Sequence, residues 1–244
     1  MAPTTQKPTV FLDDGDVMND NALRPHQWQL HVGAFMSERL GGVAAAWEEA
    51  NKIAFPRVLD HHSKGGWKGY GIYWENYLRD WLEALCKHLK MSVPANAAAL
   101  AIAKDASAYV TRRVHAAFPG VIDSIRELHA GGFRLHTASA EHSSDLAGYL
   151  EAMDVRHLFG RLYGPDLVET AKGGPEYYRS IFADAGVDPG SSVVVDDSPR
   201  AIGWATEAGT TSVLVAPTGA KAGKAHVIRR VAELPSLVDR LGDS

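Results

Sequence analysis

Five short apolar runs along the chain have the length and composition of buried β-strands. Each is rich in β-branched or aromatic residues and is bounded by Gly, Asp, Ser or Pro, which is typical of strands covered on both faces. One run opens the chain, and the other four lie in its second half. The runs are TVFLD (9–13), FRLHT (133–137), GRLYG (160–164), SVVVD (192–196) and TSVLVA (211–216).

Helical patterns separate the later runs from one another. Apolar residues recur at helical spacing in PGVIDSIRELHAGG, GPEYYRSIFADAG and DSPRAIGWATEAGT, and glycine terminates each of these segments. Strands that alternate with such helices predict βαβ units. The predicted fold class is therefore α/β, with a Rossmann-like parallel sheet as its core.

The segment between the first strand and the later ones carries helical patterns and no clear strand pattern. The expected helices cover 25–40, 43–55, 73–89 and 95–116. This change of pattern predicts two domains. An α/β core is formed by 1–19 and 116–244, and an inserted α-helical cap is formed by 20–115.

Two further segments are rich in glycine and polar residues, and we expect both to be surface loops. They are HHSKGGWKGYG (61–71) and APTGAKAGKAH (216–226).

Composition narrows the class of protein. Of 244 residues 45% are hydrophobic, and the formal net charge of −4 gives no reason to expect a nucleic-acid or membrane partner. The single cysteine, Cys86, excludes an internal disulfide, and no apolar run is long enough to span a bilayer. The N-terminal residues lack the apolar stretch of a signal peptide. These properties predict a cytoplasmic protein, monomeric or homodimeric.

Polar side chains that can take part in catalysis or metal binding follow several of the predicted strands. Since the carboxyl ends of parallel strands meet at one edge of a sheet, these side chains are expected to lie together. Paired carboxylates suit Mg²⁺, an aspartate can carry a phosphoryl group, and a lysine with a hydroxyl can neutralise phosphate oxygens. The set therefore favours phosphoryl transfer. Its members are Asp13, Asp14, Asp16, Thr137, Ser139, Lys172, Asp196 and Asp197.

In their order along the chain, these motifs resemble those of the haloacid dehalogenase-like (HAD) hydrolases, in the helical-cap branch that includes β-phosphoglucomutase and phosphonatase. Asp13 after a strand matches the nucleophile, and Thr137 in FRLHTAS matches the phosphate-binding hydroxyl of the second motif. Lys172 in KGGPEYY matches the lysine of the third motif. The acidic pair of the fourth corresponds to Asp196 and Asp197 in VVVDDSPRAIGWATEAGT.

The resemblance implies a role for each matched residue. Asp13 is the expected nucleophile and a Mg²⁺ ligand, and the carbonyl of Gly15 is a second ligand. Asp197 binds the metal directly, and Asp196 binds it directly or through water. Lys172 bridges Asp13 and the phosphoryl group. Candidate substrate contacts are Thr137, Ser139, Lys172 and Arg24.

The first motif departs from the family pattern D-x-D-G-[TV]-[LV]. In that pattern the second Asp is the general acid/base, but here Gly15 stands in its place and Asp16 stands where glycine is usual. Two registers are open. In the first, Asp13 attacks; in the second, Asp14 attacks and Asp16 is the acid. Asp16 is kept as a catalytic candidate in either register.

The predicted function is Mg²⁺-dependent hydrolysis of a small phosphorylated metabolite through an aspartyl-phosphate. One alternative is a HAD hydrolase that lacks the usual acid, such as a phosphonate-cleaving enzyme that forms an imine on Lys64 or Lys68. Another is a weakly active HAD-fold binding protein. Dehalogenation of 2-haloacids is a further activity of this family, and the pair Asp196 and Asp197 argues against it.

Overall fold

The computed structural model describes residues 7–64, 69–219 and 223–242. The chain forms two compact units, Met1–Asn21 with Ala116–Ser244, and Ala22–His115. The first division lies two residues beyond the border expected after residue 19. That the second unit acts as a cap stays a prediction.

A six-stranded sheet forms the centre of the first unit. The strands are β1 (Thr9–Leu12), β2 (Arg134–Ala138), β3 (Phe159–Tyr163), β4 (Ser192–Asp196), β5 (Thr211–Val215) and β6 (His226–Ile228). Their order is β3-β2-β1-β4-β5-β6, and every neighbouring pair is parallel. The predicted α/β class is confirmed, and each of the five predicted runs overlaps a strand, with β2 and β3 displaced by one residue.

The described part of the second unit is helical. Its helices are α1 (Arg24–Leu40), α2 (Ala44–Ser63), α3 (Tyr70–His88) and α4 (Asn96–Thr111). Helices α1 and α3 each pack against both α2 and α4. Two buried tryptophans make hydrogen bonds inside this unit. Trp47 Nε1 donates to the Gly41 carbonyl at 2.9 Å, and Trp81 Nε1 donates to Asn51 Oδ1 at 2.8 Å.

Several predicted boundaries were wrong, and the helix expected over 95–116 ends at Thr111. Helix α2 was expected to end at residue 55, but it continues through Pro56 to Ser63. Ala54 and Val58, two residues before and two residues after the proline, are buried, so packing stabilises the helix on both sides of it. The expected loop over 61–71 is correspondingly shorter, and 65–68 lie outside the described residues.

The predicted loop over 216–226 was also too long. Its last residue, His226, begins strand β6, which pairs with β5. Strand β6 has three residues, so its sequence carries too little periodic pattern to be recognised.

Within the described ranges of the first unit, six α-helices accompany the sheet. They are α5 (Val121–Ala130), α6 (Ser143–Ala152), α7 (Pro165–Val168), α8 (Pro175–Ala185), α9 (Pro199–Glu207) and α10 (Leu234–Gly242). Val10 and Leu12 of β1 pack on one face with apolar residues of α5, α6 and α10. Phe11 points to the other face and packs with residues of α8 and α9. Both faces of the sheet are therefore covered, as expected for parallel strands.

Strand β1 lies where the strand order reverses. Its last residue, Leu12, is in register with Thr137 of β2 on one side and Val195 of β4 on the other. In open α/β sheets, ligands bind at the carboxyl ends of the strands at such a point. Asp13 and Asp196 are the residues that follow Leu12 and Val195. The topology thus brings the first and fourth motifs together.

A buried tyrosine ties helix α8 to this edge of the sheet. The hydroxyl of Tyr177 lies 2.8 Å from the Ser139 carbonyl and 3.1 Å from the Tyr163 carbonyl. The side chain is fully buried, so loss of the hydroxyl would leave an unsatisfied carbonyl. We expect Tyr177→Phe to lower the free energy of unfolding by about 1–3 kcal/mol, measured by urea denaturation.

The neighbouring tyrosine provides a matched control for this substitution. The hydroxyl of Tyr178 lies 3.5 Å from Asp196 Oδ2, at the outer limit of a hydrogen bond. Tyr178→Phe should therefore cost less stability than Tyr177→Phe. Equal losses would contradict the role given to the Tyr177 hydroxyl.

Candidate active site

A buried lysine joins the ends of two strands. Lys172 lies in the connection between α7 and α8, and its Nζ is 2.8 Å from Asp13 Oδ2 and 2.7 Å from Asp196 Oδ2. Its side chain is only 7% exposed. Burial lowers the pKa of Lys172, but the charges and hydrogen bonds of Asp13 and Asp196 outweigh burial and the pKa ends above its ordinary value. The lysine is therefore a fixed positive charge.

Three carboxylates lie close together around this lysine. Asp13, Asp196 and Asp197 each present an oxygen, and these oxygens lie within 4.8 Å of one another. Burial, followed by the charge of Asp13, raises the pKa of Asp196 to about 6. The same two causes raise the pKa of Asp197. One ammonium does not balance three carboxylates, so the cluster keeps an excess of negative charge.

This cluster fits a divalent cation. Hard cations prefer carboxylate oxygens, and an excess of negative charge in a partly buried site is what such an ion would balance. The residues that would hold the metal are Asp13, Asp196 and Asp197. The predicted contribution of the Gly15 carbonyl stays a prediction.

Asp13 is oriented toward this cluster by its own backbone. Its amide donates to the Val195 carbonyl at 3.0 Å, which continues the pairing of β1 with β4 by one residue. Its Oδ1 accepts from the amide of Asp14 at 2.8 Å, while Oδ2 pairs with Lys172. Backbone pairing and the ion pair together fix the position of this carboxylate.

Asp14 points elsewhere. Its side chain is fully buried, and Oδ1 accepts from Asn19 Nδ2 at 2.7 Å. Its carbonyl accepts from the amides of Met18 and Asn19 at 2.8 and 2.9 Å. Asp14 therefore closes the turn that follows β1. This arrangement favours the register in which Asp13, not Asp14, faces Lys172.

Asp16 is not a member of the carboxylate cluster. It is exposed and has a left-handed backbone with φ of 56°, and its two carboxylate oxygens accept from Asn21. Its charge still reaches the cluster, since it is one of the charges that raise the pKa of Asp197, after burial and Asp13. Its role as a catalytic acid stays a prediction that this geometry does not favour.

The hydroxyls of the second motif lie at the end of β2. Thr137 is fully buried and its Oγ1 donates to the Tyr163 carbonyl at 3.2 Å. Ser139 Oγ accepts from the amide of Glu141 at 3.3 Å. Thr137 is in register with Leu12, the residue before Asp13. Both hydroxyls keep lone pairs beyond these contacts, and their contact with a substrate stays a prediction.

Arg24 belongs to the helical unit. It is the first residue of α1 and is 7% exposed. A substrate contact by Arg24 stays a prediction.

Sequence patterns did not single out two residues near the acids. Tyr178 was assigned to the apolar stripe of α8, yet its hydroxyl lies near Asp196, and burial together with the charges of Asp196 and Asp13 raises its pKa. Asn21 lies five residues beyond Asp16 and binds it twice. For Tyr178, the only indication in the sequence was its place within the third motif. Nothing in the sequence indicated a role for Asn21.

A family profile and several known proteins match parts of this chain. The sequence profile described as Haloacid dehalogenase-like hydrolase matches residues 72–215, more than half of the chain. Phosphoglycolate phosphatase of Salmonella paratyphi A is 32% identical over 96 residues. That match covers 39% of this chain and 38% of the relative, so the chain spans little more than a third of the length of this curated relative.

Solved structures share the fold over nearly the whole chain. The 2-haloacid dehalogenase of Pseudomonas syringae pv. Tomato DC3000 has a TM-score of 0.65 at 18% identity, covering 96% of this chain and 99% of that chain. The HAD-hydrolase YfnB of Bacillus subtilis, solved with bound magnesium, has a TM-score of 0.64 at 15% identity, with coverage of 96% and 99%. Such identities show a common fold alone. Because the family profile matches more than half of the chain, this protein belongs to the haloacid dehalogenase-like hydrolases.

Proposed function

We propose that this chain hydrolyses phosphate esters or anhydrides of small metabolites, with Mg²⁺ as cofactor and Asp13 as the nucleophile. The observation that carries the proposal is the buried Lys172, which contacts Asp13 and Asp196 beside a third carboxylate, Asp197. The similarity to phosphoglycolate phosphatase over 96 residues adds support. A bound Mg²⁺ would supply positive charge for the phosphoryl oxygens.

Asp13, Lys172 and Asp196 each have a part in this reaction. The amide of Asp14 and the ammonium of Lys172 hold the Asp13 carboxylate in one orientation, so that it attacks phosphorus without reorganisation. The ammonium also neutralises phosphoryl oxygens as charge redistributes. Asp196 keeps Lys172 in place from the other side. Water then attacks the aspartyl-phosphate and regenerates the Asp13 carboxylate.

Two alternatives receive less support. Imine chemistry requires a desolvated lysine, but Lys64 is exposed and pairs with Asp60 at 2.6 Å. Lys68 lies outside the described residues. Several structural neighbours at low identity are dehalogenases, but the acidic cluster would repel the carboxylate of a haloacid.

No helix within the described ranges is both long and apolar enough to cross a bilayer. Beyond that observation, the cytoplasmic location and the monomeric or homodimeric state stay predictions. We propose a small phosphorylated molecule as the partner of this site, since the three carboxylates suit a metal-bound phosphoryl group.

Loss of the Asp13 carboxylate tests the proposal. We expect Asp13→Asn to lower kcat/KM for p-nitrophenyl phosphate with Mg²⁺ by on the order of 10³-fold or more, because an amide is not a competent nucleophile. The free energy of unfolding should change little or rise, since like charges in the cluster repel. Circular dichroism in urea measures it.

Asp14→Ala is the matched control for the register. Asp14 is bonded to Asn19 and not to Lys172, so this change should cost about 1–3 kcal/mol of stability and leave measurable turnover. Turnover by Asp13→Asn together with none by folded Asp14→Ala would assign the nucleophile to Asp14. Halide release from 2-chloropropionate, without phosphate hydrolysis, would favour a dehalogenase.

The pH dependence of stability tests the cation site. The comparison is made in a chelating buffer, so that no divalent cation is bound. Between about pH 4, the ordinary pKa of an aspartate in the unfolded chain, and the raised pKa of about 6, Asp196 is protonated in the folded protein and ionised in the unfolded chain. The stabilisation that this proton gives is present at low pH and is lost as the pH rises through about 6. Saturating Mg²⁺ should reduce the fall, because the cation takes the place of the proton.

Thermal unfolding scans between about pH 4 and pH 7, with and without Mg²⁺, measure this effect. Asp196→Asn is the control, because an amide does not titrate in this range. Scans of this variant should lack the fall in stability near the upper end of the pH range. An equal fall in this variant and in the wild type would contradict the assignment to Asp196.

A further inference from the structure

Strand β3 carries one residue more than the stretch of β2 with which it pairs. Two registered pairs, Leu135 with Phe159 and Thr137 with Leu162, enclose one residue of β2 but two residues of β3. Such an insertion is a β-bulge, and it displaces every residue beyond it by one place. The single residue of β2 at this position is His136.

The imidazole of His136 occupies the bulge. Its Nδ1 accepts from the backbone amide of Arg161 at 2.8 Å, so a side chain takes the place of a strand carbonyl as acceptor. Gly160 leaves room for the ring, since a Cβ atom there would lie 2.8 Å from His136 Cε1. The ring also stacks on Phe11, with centroids 5.3 Å apart. Contacts with β1 and β3 therefore hold this ring in place.

His136 accepts this hydrogen bond in its neutral form. Burial lowers the pKa of His136, the Arg161 carbonyl at 3.3 Å from Nδ1 raises it, and the charges of Arg134 and Arg161 lower it. The pKa ends below its ordinary value of about 6.5. The ring is consequently neutral near neutral pH, with its proton on Nε2 and with Nδ1 as the acceptor.

The bulge decides which way the end of β3 faces. Phe159 and Leu162 pack in the same core cluster, on one face of the sheet. Tyr163 packs on the opposite face with Phe11 and Tyr177. Because side chains alternate along a strand, residues three apart lie on opposite faces unless an extra residue separates them. The bulge therefore fixes the orientation of Tyr163.

The carbonyl of Tyr163 in turn holds the end of β2. It accepts from the Thr137 hydroxyl at 3.2 Å and from the Ser139 amide at 3.0 Å. The contact of Thr137 is long for a hydroxyl donor. Since the side chain of a threonine is stiff at χ1, its O–H bond can turn toward a phosphoryl oxygen while the oxygen atom keeps its place.

We propose that His136 is a positioning residue for the phosphoryl-binding hydroxyl of Thr137, acting through the bulge of β3 and the carbonyl of Tyr163. The inference rests on the proposed function above, in which Thr137 contacts the phosphoryl group. The carboxylates that would hold the metal lie at the ends of β1 and β4. Loss of the His136 acceptor should therefore weaken the binding of phosphate and leave the binding of Mg²⁺ unchanged.

Replacement of the imidazole tests the inference. We expect His136→Leu to raise the inhibition constant of inorganic phosphate, measured against hydrolysis of p-nitrophenyl phosphate, by about tenfold or more, which is typical for loss of a hydrogen bond to a charged group. The dissociation constant of Mg²⁺, measured by calorimetry without phosphate, should keep its wild-type value. His136→Asn retains an acceptor oxygen and should recover most of the affinity for phosphate.

Two further variants make the comparison specific. Gly160→Ala keeps the histidine but displaces its ring, so it should raise the inhibition constant of phosphate as His136→Leu does. If His136→Leu does not fold, Gly160→Ala takes its place in the comparison. His157→Leu is the matched control, since it removes an exposed imidazole from the short turn before β3 and should leave both constants unchanged.

A double-mutant cycle shows whether His136 acts through Thr137. In a Thr137→Val background, which lacks the hydroxyl, His136→Leu should cause no further loss of affinity for phosphate. Losses that multiply would overturn the inference, as would an unchanged phosphate constant or an equal loss of phosphate and Mg²⁺ affinity in His136→Leu. None of these three results touches the proposed function. A wild-type protein that binds Mg²⁺ but neither hydrolyses nor binds phosphate would overturn both.

Discussion

The site depends on the ion pairs that the ammonium of Lys172 makes with Asp13 and Asp196. The ammonium lies 2.8 Å from Asp13 and 2.7 Å from Asp196, so it links the residue after β1 to the end of β4. Without it, the partly buried carboxylates would lose the charge that these two contacts provide and would resist ionisation more strongly. The cluster still holds more negative than positive charge. Such an arrangement costs stability and is typical of sites that bind a cation or perform chemistry.

The sheet explains why these side chains meet. β1 pairs with β2 on one side and with β4 on the other, so residues far apart in sequence end at a common edge. Alternation along β1 buries Val10 and Leu12 on one face and Phe11 on the other. The next residue, Asp13, keeps a backbone bond to Val195, and this bond carries the strand geometry into the site.

Much of this could be predicted from the sequence, because apolar periodicity and the ordered motifs are local signals. The five strands and the grouping of Asp13, Lys172, Asp196 and Asp197 follow from them. Three-residue β6 has too little pattern to be recognised. The two hydrogen bonds between Asp16 and Asn21 join residues five apart through a turn, and no periodic pattern encodes them. The place of Asp16, which stands where the family pattern has glycine, could therefore be found only from side-chain contacts.

The central claim is that Asp13 carries the phosphoryl group during turnover. Its most direct test is acid quenching of the protein during turnover of p-nitrophenyl phosphate with Mg²⁺, followed by peptide mapping with tandem mass spectrometry. The account predicts a phosphoryl group on Asp13 that disappears when substrate is exhausted. A phosphoryl group on Asp14, or a substrate adduct on a lysine, would contradict it.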